Sequence, residues 1–364
     1  GYQALFNATT AGSNIAIGRQ ALNGLTTGGS NTAVGYGALL SLTSAADGFN
    51  VAVGNGAGQN AGPVLGNTYV GFQAGYNYRS GSANTLIGKY AGFGNAATLT
   101  TNTMGGVVAV GETALDTSTY TFYTTVVGQA AMGSFKRGNY MTVIGNAAAG
   151  STVSGSNSVI IGGTAGQYVG RSKNATLVTM VGDAAGTYAT GSYNTFIGGN
   201  AGYGGTTSAP YSSGQYNVAV GTYAFDAFTT AGESTVIGYH AGSVVTTGIR
   251  NVLVGAYSGD ALTTGARNVA IGSNTLSAAT TADINIAIGQ SAMEGAAASV
   301  AFTNIIAIGK DTLTAVTSTG ADGTVAIGYQ ALTALTTGAQ NIAIGYEALD
   351  ALTEGYNNTV IGYQ

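Results

Sequence analysis

Apolar positions recur along this chain in a fixed four-residue step: a β-branched residue, any residue, Ile or Val, then Gly. The step reads Ile15-Ala16-Ile17-Gly18, Thr32-Ala33-Val34-Gly35 and Val51-Ala52-Val53-Gly54 near one end, and Thr359-Val360-Ile361-Gly362 at the other. There are 20 complete copies, and in all 20 the residue before the Gly is Ile or Val and the residue three before it is Thr, Val or Ile. Counted from Gly1, 13 of the 20 Gly-to-Gly intervals are 17 residues; the others are 16, 19, 20 or 23. β-branched residues at alternate positions predict a short strand. Their return at a near-constant spacing predicts a stack of similar coils.

The polar positions are as regular. The common unit is Asn-x-Ala-Ile-Gly-Tyr-Gln-Ala-Leu-x-x-Leu-Thr-Thr-Gly-x-x, clearest over residues 341–357. The Gly ends the strand, where the chain needs a conformation closed to residues with side chains. A second short strand or extended edge is expected over Ala-Leu-x-x-Leu. A turn is expected at Thr-Thr-Gly, as in Thr26-Thr27-Gly28 and Thr263-Thr264-Gly265. Helix is a poor alternative for so much Gly, Thr and β-branched sequence. Asn recurs four residues before the Gly, as at Asn14, Asn31, Asn50, Asn67 and Asn84. In a parallel in-register stack such a column can bond amide to amide. One coil buries too little to fold alone, so coils must stack, each adding its strand to the next.

A size rule links two positions in each coil. Where the residue two before the Gly is Ala, the residue four after it is usually large, as in Ala16 with Leu22, Ala219 with Phe225 and Ala287 with Met293. Where the first is large, the second is Gly or Ala, as in Tyr69 with Gly75, Phe196 with Gly202 and Met180 with Gly186. Ala52–Gly58 and Val126–Met132 break the rule. Close packing explains it, because interiors tolerate neither voids nor overfilling; the two positions share one confined space. Alternate strand residues face opposite sides, so the β-branched pair points away from that space. Both sides of the strand then read as buried, and the simplest cover for the second side is another copy of the chain. Which side fills the coil stays open at this point.

Composition narrows the class. Charged residues are 7% of the chain, against about 25% in ordinary soluble proteins. Gly is 61 of 364 residues, yet it does not recur every third residue, so the chain is not collagen. A 45% hydrophobic content with a net charge of −4 excludes a disordered tail. Ten Lys and Arg spread over 364 residues predict no nucleic-acid binding. The absence of Cys removes disulfides and thiolate metal sites. No apolar run reaches the ~18 residues of a membrane span, so no membrane insertion is expected. Gly1-Tyr2-Gln3 and Gly362-Tyr363-Gln364 stand in the same phase of the repeat, which reads as a segment of a longer protein or a unit that continues end to end. Residues 1–364 are expected to form a single continuous array. Insertions, the largest between Gly88 and Gly111 and between Gly198 and Gly221, read as surface loops, and Pro63 and Pro210 fall in turns.

The step Asn-x-Ala-Ile-Gly, as in Asn285-Ile286-Ala287-Ile288-Gly289, resembles the head repeat of YadA-like trimeric autotransporter adhesins. The longer unit, with Gly-Tyr-Gln-Ala-Leu and Leu-Thr-Thr-Gly over residues 328–338, looks like repeats of bacteriophage tail fibres and large bacterial surface proteins. The resemblance implies a left-handed parallel β-roll, three chains side by side, and attachment to host surfaces or matrix proteins. The 17-residue period predicts a wider coil than the adhesin head.

Candidate chemistry is sparse. The one His, His240, is expected at an exposed position without a catalytic partner. Acids are dispersed, and Asp116 and Asp183 are expected to be solvated. Gly162-Gly163-Thr164-Ala165-Gly166 lacks the strand–helix context and Lys of a phosphate loop. No catalytic, metal or cofactor site is expected. Aromatics just after the Gly, namely Tyr36, Phe72, Tyr239, Tyr329 and Tyr346, with Tyr2 and Tyr363, form a candidate exposed contact column able to stack on sugars or anchor a partner; covering the corner of the coil is the structural alternative.

The expectation is therefore an all-β, parallel β-solenoid (left-handed β-roll) of about 20 stacked coils, homotrimeric, and about 95 Å long at ~4.8 Å per coil. It would be a structural or adhesive, non-enzymatic fibre protein, extracellular, on a cell or virion surface. Its expected partners are its own copies, with a host surface glycan or matrix protein as a further one. The alternative is a monomeric solenoid binding ice, through Thr-Thr arrays, or polysaccharide.

Overall fold

The computed structural model describes residues 1–43, 48–94, 102–171, 175–209, 211–296, 301–317 and 319–364; Pro210 lies outside them. The chain is an all-β parallel solenoid of about 19 turns with a period near 17 residues. It divides into two compact units, Gly1–Val178 and Thr179–Gln364, built from the same repeat.

In each unit the four-residue step forms one short strand per coil. Unit 1 holds nine, from Ile15–Ile17 to Ser158–Ile161, and unit 2 holds eleven, from Thr179–Val181 to Thr359–Ile361. Successive strands pair parallel and in register, Ile15 with Thr32, Ala16 with Ala33, Ile17 with Val34. Register survives the insertions: Leu86 pairs with Ala109 and Phe196 with Ala219 across 23-residue spacings. The extra residues therefore do not shift the ladder, which keeps each strand side chain on its own face.

The Gly column is held by lack of space as well as by conformation. Gly71 has φ +133°, and a Cβ there would lie 2.5 Å from the carbonyl oxygen of Gly88 in the next coil. No side chain fits such a column.

Beyond the Gly the chain turns, and here the structure differs from expectation: Ala-Leu-x-x-Leu is not a second strand. The second and fourth residues after the Gly are left-handed, as at Gln20 (φ 60°) and Leu22 (φ 51°). This alternation aims successive peptides at both neighbours. Gln20 N–H donates to Tyr2 O in the preceding coil at 2.9 Å, and Leu22 N–H to Ala38 O in the next at 3.0 Å. Left-handed non-Gly residues carry a steric cost, offset here by burial, since Leu22 and Leu39 are fully buried.

The interior is filled from two sides. The middle residue of each strand points inward; Ala33, Leu86, Phe196 and Leu253 are fully buried. The residue four after the Gly faces it. A Cβ on Gly92 would meet Leu86 Cδ1 at 2.7 Å, and one on Gly202 would meet the Phe196 ring at 2.5 Å. The size rule is thus a shared space. Ala52–Gly58 breaks it because Tyr69, one coil on, reaches back; a Cβ on Gly58 would lie 2.7 Å from the Tyr69 ring and 2.9 Å from Leu39. In unit 2 Phe225 and Phe228 stack at 5.1 Å with Phe196 against them.

The expected Asn ladder is present. Asn67 Nδ2 donates to Asn50 Oδ1 (3.3 Å) and to Gly81 O (3.2 Å), while Asn67 Oδ1 accepts from Asn84 N and Nδ2, both at 2.9 Å. In unit 2 it runs through Asn251, Asn268 and Asn285, all buried. A buried amide costs free energy unless its groups are paired, and these are.

Unit 1 also contains second sheets. Thr103–Gly105, Tyr120–Phe122 and Arg137–Asn139 form one, and Gly155–Ser156 with Ala175–Thr176 form another, all parallel.

Candidate functional site

The pair flanking each inward residue points outward. All forty of these Thr, Val and Ile residues are at least partly exposed; Ile17 is 59% exposed and Ile237 38%. In the single chain the inner side is closed and the outer is open, as expected of a lone solenoid with one interior. Each unit presents a pleated face of two β-branched columns. With strands ~4.8 Å apart and three residues long, the face of unit 2 covers roughly 500 Å² and that of unit 1 roughly 400 Å². A typical monomer's largest apolar patch is roughly 300–600 Å². Each face by itself supplies about half of the ~800 Å² that a partner contributes to a standard interface.

Beside this face runs a column that the sequence reading missed. The residue five before each Gly is left-handed in every coil, from Ser13 (φ 57°) to Asn357 (φ 60°). Gly66, Gly106, Asn157 and Asn304 suit such a corner. Phe49, Tyr123, Tyr140, Tyr216 and the β-branched Ile284 do not, and all are exposed. Lining the repeats up on the Gly would have revealed the column by its mixture of Gly and Asn with large residues. Ile284 and Arg267 of this column, with Val269, Ile286 and Ile306 of the outward face, line a concavity of about 390 Å³.

The aromatics after the Gly do not make one continuous column. Tyr329 and Tyr346 come together, stacked at 5.0 Å, and Tyr346 stacks on Tyr363 at 5.3 Å. Both faces of Tyr346 are thereby taken by neighbouring rings. Tyr36 has the Arg19 guanidinium over its ring at 5.8 Å. Phe72 meets Tyr90 edge-on at 5.3 Å. Tyr239 meets Tyr257 edge-on at 5.5 Å. His240 is half-buried rather than exposed, stacked between Tyr223 (4.8 Å) and Tyr257 (5.7 Å).

The first Thr of each Thr-Thr pair spends its hydroxyl inside the stack. Thr229 Oγ1 donates to Thr246 O, Thr246 Oγ1 to Thr263 O, and Thr263 Oγ1 to Thr280 O, at 2.9, 3.2 and 3.0 Å. Asp183 is exposed as expected, but Asp116 is half-buried and burial raises its pKa above the usual carboxylate range. Asp226 and Asp260, two coils apart in the same slot, are raised by burial too, and Asp260 Oδ1 is buried without a hydrogen-bond partner. Among the described residues no group of three His, Cys, Asp or Glu could hold a metal ion, and no helix is long and apolar enough to cross a membrane. No protein-family model matches the chain, and a comparison with curated proteins finds no match.

Proposed function

We propose that this chain is a segment of a non-enzymatic extracellular fibre, a rigid and adhesive shaft on a cell or virion surface, in which copies associate through the outward β-branched face. The observation that carries the reading is that face: two columns of Val, Ile and Thr, open along every coil, in a chain with few charges to keep it soluble. Water against so much apolar surface is unfavourable, and association removes it. The number of copies, three in a left-handed roll, comes from the resemblance of the Asn-x-Ala-Ile-Gly step to trimeric adhesin heads. The ice-binding alternative loses half of its donors, because the first Thr hydroxyl of each pair already bonds the next coil.

Lysine at two outward positions of unit 2, Ile237→Lys with Ile271→Lys, tests the reading. Neither side chain enters the core, so far-UV circular dichroism should stay unchanged. Sedimentation should show the assembly falling to single chains. An unchanged mass distribution would place the association elsewhere and overturn the proposal.

A further inference from the structure

The charges that remain in this chain are unevenly placed. Between Asp116 and Asp183 there is no acid, but there are four of the ten basic residues, Lys136, Arg137, Arg171 and Lys173. The rest of the chain holds the other six basic residues and all 14 acids. All four ion pairs among the described residues lie outside this basic stretch, and they engage Lys89, Arg250, Arg267 and Lys310. Lys136 and Arg137, the one adjacent basic pair, are exposed, and no acid pairs with either among the described residues.

The same stretch carries most of the second sheets. Their outer surface is concave, with a volume of about 200 Å³, lined by Tyr120, Arg137, Asn139, Ser156 and Thr176 over a floor of Gly138 and Gly155. The Tyr120 ring is half-exposed at the rim, edge-on to Phe122 at 4.9 Å. Asn139 Oδ1 accepts Phe122 N–H at 3.0 Å, which holds the amide in place and leaves its Nδ2 without a protein acceptor among the described residues. Ser156 Oγ accepts Asn139 N–H at 3.2 Å, so its own proton remains free to donate outward.

We infer that this concavity binds an acidic carbohydrate, a polymer whose sugars carry carboxylate or sulfate. Arg137 offers a planar fork for the anionic group, and Lys136, its neighbour in the chain but not part of the lining, adds to the positive charge of the stretch. Tyr120 offers an apolar edge for the C–H face of a sugar ring. Asn139 and Ser156 offer donors at fixed positions for hydroxyl oxygens. The rest of the chain, with six basic residues against 14 acids, repels polyanions from the remaining surface and leaves this patch as their point of approach. A nucleic acid fits less well. Two unpaired cations neutralise few phosphates, and the neighbouring Tyr123 and Tyr140 rings are stacked on one another at 5.3 Å, so their facing sides are closed to bases.

The inference gives the adhesive reading a ligand class and a place. The test is affinity electrophoresis of the full chain through gels containing polygalacturonate, heparin or neutral dextran, with oligothymidylate as a competitor. Retardation is expected with polygalacturonate or heparin and not with dextran; whichever retards more identifies carboxylate or sulfate. Arg137→Gln should weaken binding about tenfold, the loss of one charge-assisted contact. Tyr120→Ala should weaken it several-fold at constant charge. Arg250→Gln, the same single charge removed in unit 2, should change it less than about twofold. No retardation, an equal loss in the unit 2 variant, or displacement by oligothymidylate at lower concentration than by free polysaccharide would overturn the site. The mass measured on the same sample separates the two readings. A binding monomer would leave the site standing without the shaft, and a non-binding oligomer the reverse.

Discussion

Two stretches of unit 1 solve one problem in different ways. In the coils around Asn31, Asn50, Asn67 and Asn84, the corner before each strand is tied by side-chain amides. Each Nδ2 reaches a backbone carbonyl at the corner as well as the amide of the coil before, as Asn67 does with Gly81 O and Asn50 Oδ1. Asn84 is the last of these, bonding Met104 O and accepting Val107 N–H. From there the Asn position holds Val107, Thr124, Met141, Ser158 and Val178. In that stretch the corner segments pair with each other directly, Tyr120 with Arg137, Thr121 with Gly138 and Phe122 with Asn139. Backbone groups at a corner must bond to something, and either an amide column or a second sheet suffices. Only the second leaves a broad surface of side chains facing outward, and that is where the basic, aromatic concavity lies.

The comparison can be tested from the interior outward. The interior should behave alike in both stretches. Gly75→Leu, against Tyr69, should cost about 3 kcal/mol or more by overpacking, and Tyr69→Ala in the same chain should recover most of it. Since Leu is at home in this left-handed slot in other coils, the loss reports space, and the denaturation midpoint of the double variant checks it. At the corners the stretches should part. Asn67→Leu strands partners on both sides and should cost about 2–3 kcal/mol in urea unfolding. Thr124→Val, in the sheet-tied stretch, gives up Phe122 O at 3.0 Å and a long contact from Met141 N–H and should cost about 1 kcal/mol. Equal losses would erase the distinction.

Two smaller effects sharpen it in unit 2. Burial holds the Asp260 and Asp226 carboxyls above their unfolded pKa. Their contribution to stability is therefore fully present below the ordinary carboxylate pKa, about 3.9, and is lost as pH rises through the raised folded value. Asp260→Asn should flatten that slope and add up to about 1 kcal/mol at neutral pH, read from melting curves across pH. Ile284→Asn relieves a β-branched residue held at φ 57° and should raise the melting temperature slightly, by about 0.5–1 kcal/mol of stability.

Much of this fold was legible in the chain. The Gly column, the short strand, the Asn ladder and the size rule each follow from one position repeated many times, and a stack converts repetition into contact. The side of the strand that faces inward was not legible. Its middle residue is often Ala, as at Ala33 and Ala343, which looks too small for a core until the Leu entering from the turn is counted. The turn was misread as a strand because alternating left- and right-handed residues also bond both neighbours, and Leu22 or Gln20 carries no local mark of a positive φ. The candidate aromatic column was legible only as single residues. Which rings meet depends on whether adjacent coils both carry one, as Tyr329 and Tyr346 do and Tyr36 does not. The basic stretch was hidden by counting charges over the whole chain, where 14 acids mask four clustered cations.

The most direct test is sedimentation equilibrium of the full chain at neutral pH and moderate salt. A chain whose outward Val and Ile columns are covered by its own copies should give three times the 35.8 kDa chain mass, held on dilution. A single 35.8 kDa species at all concentrations would mean that water covers that face, and it would contradict the account.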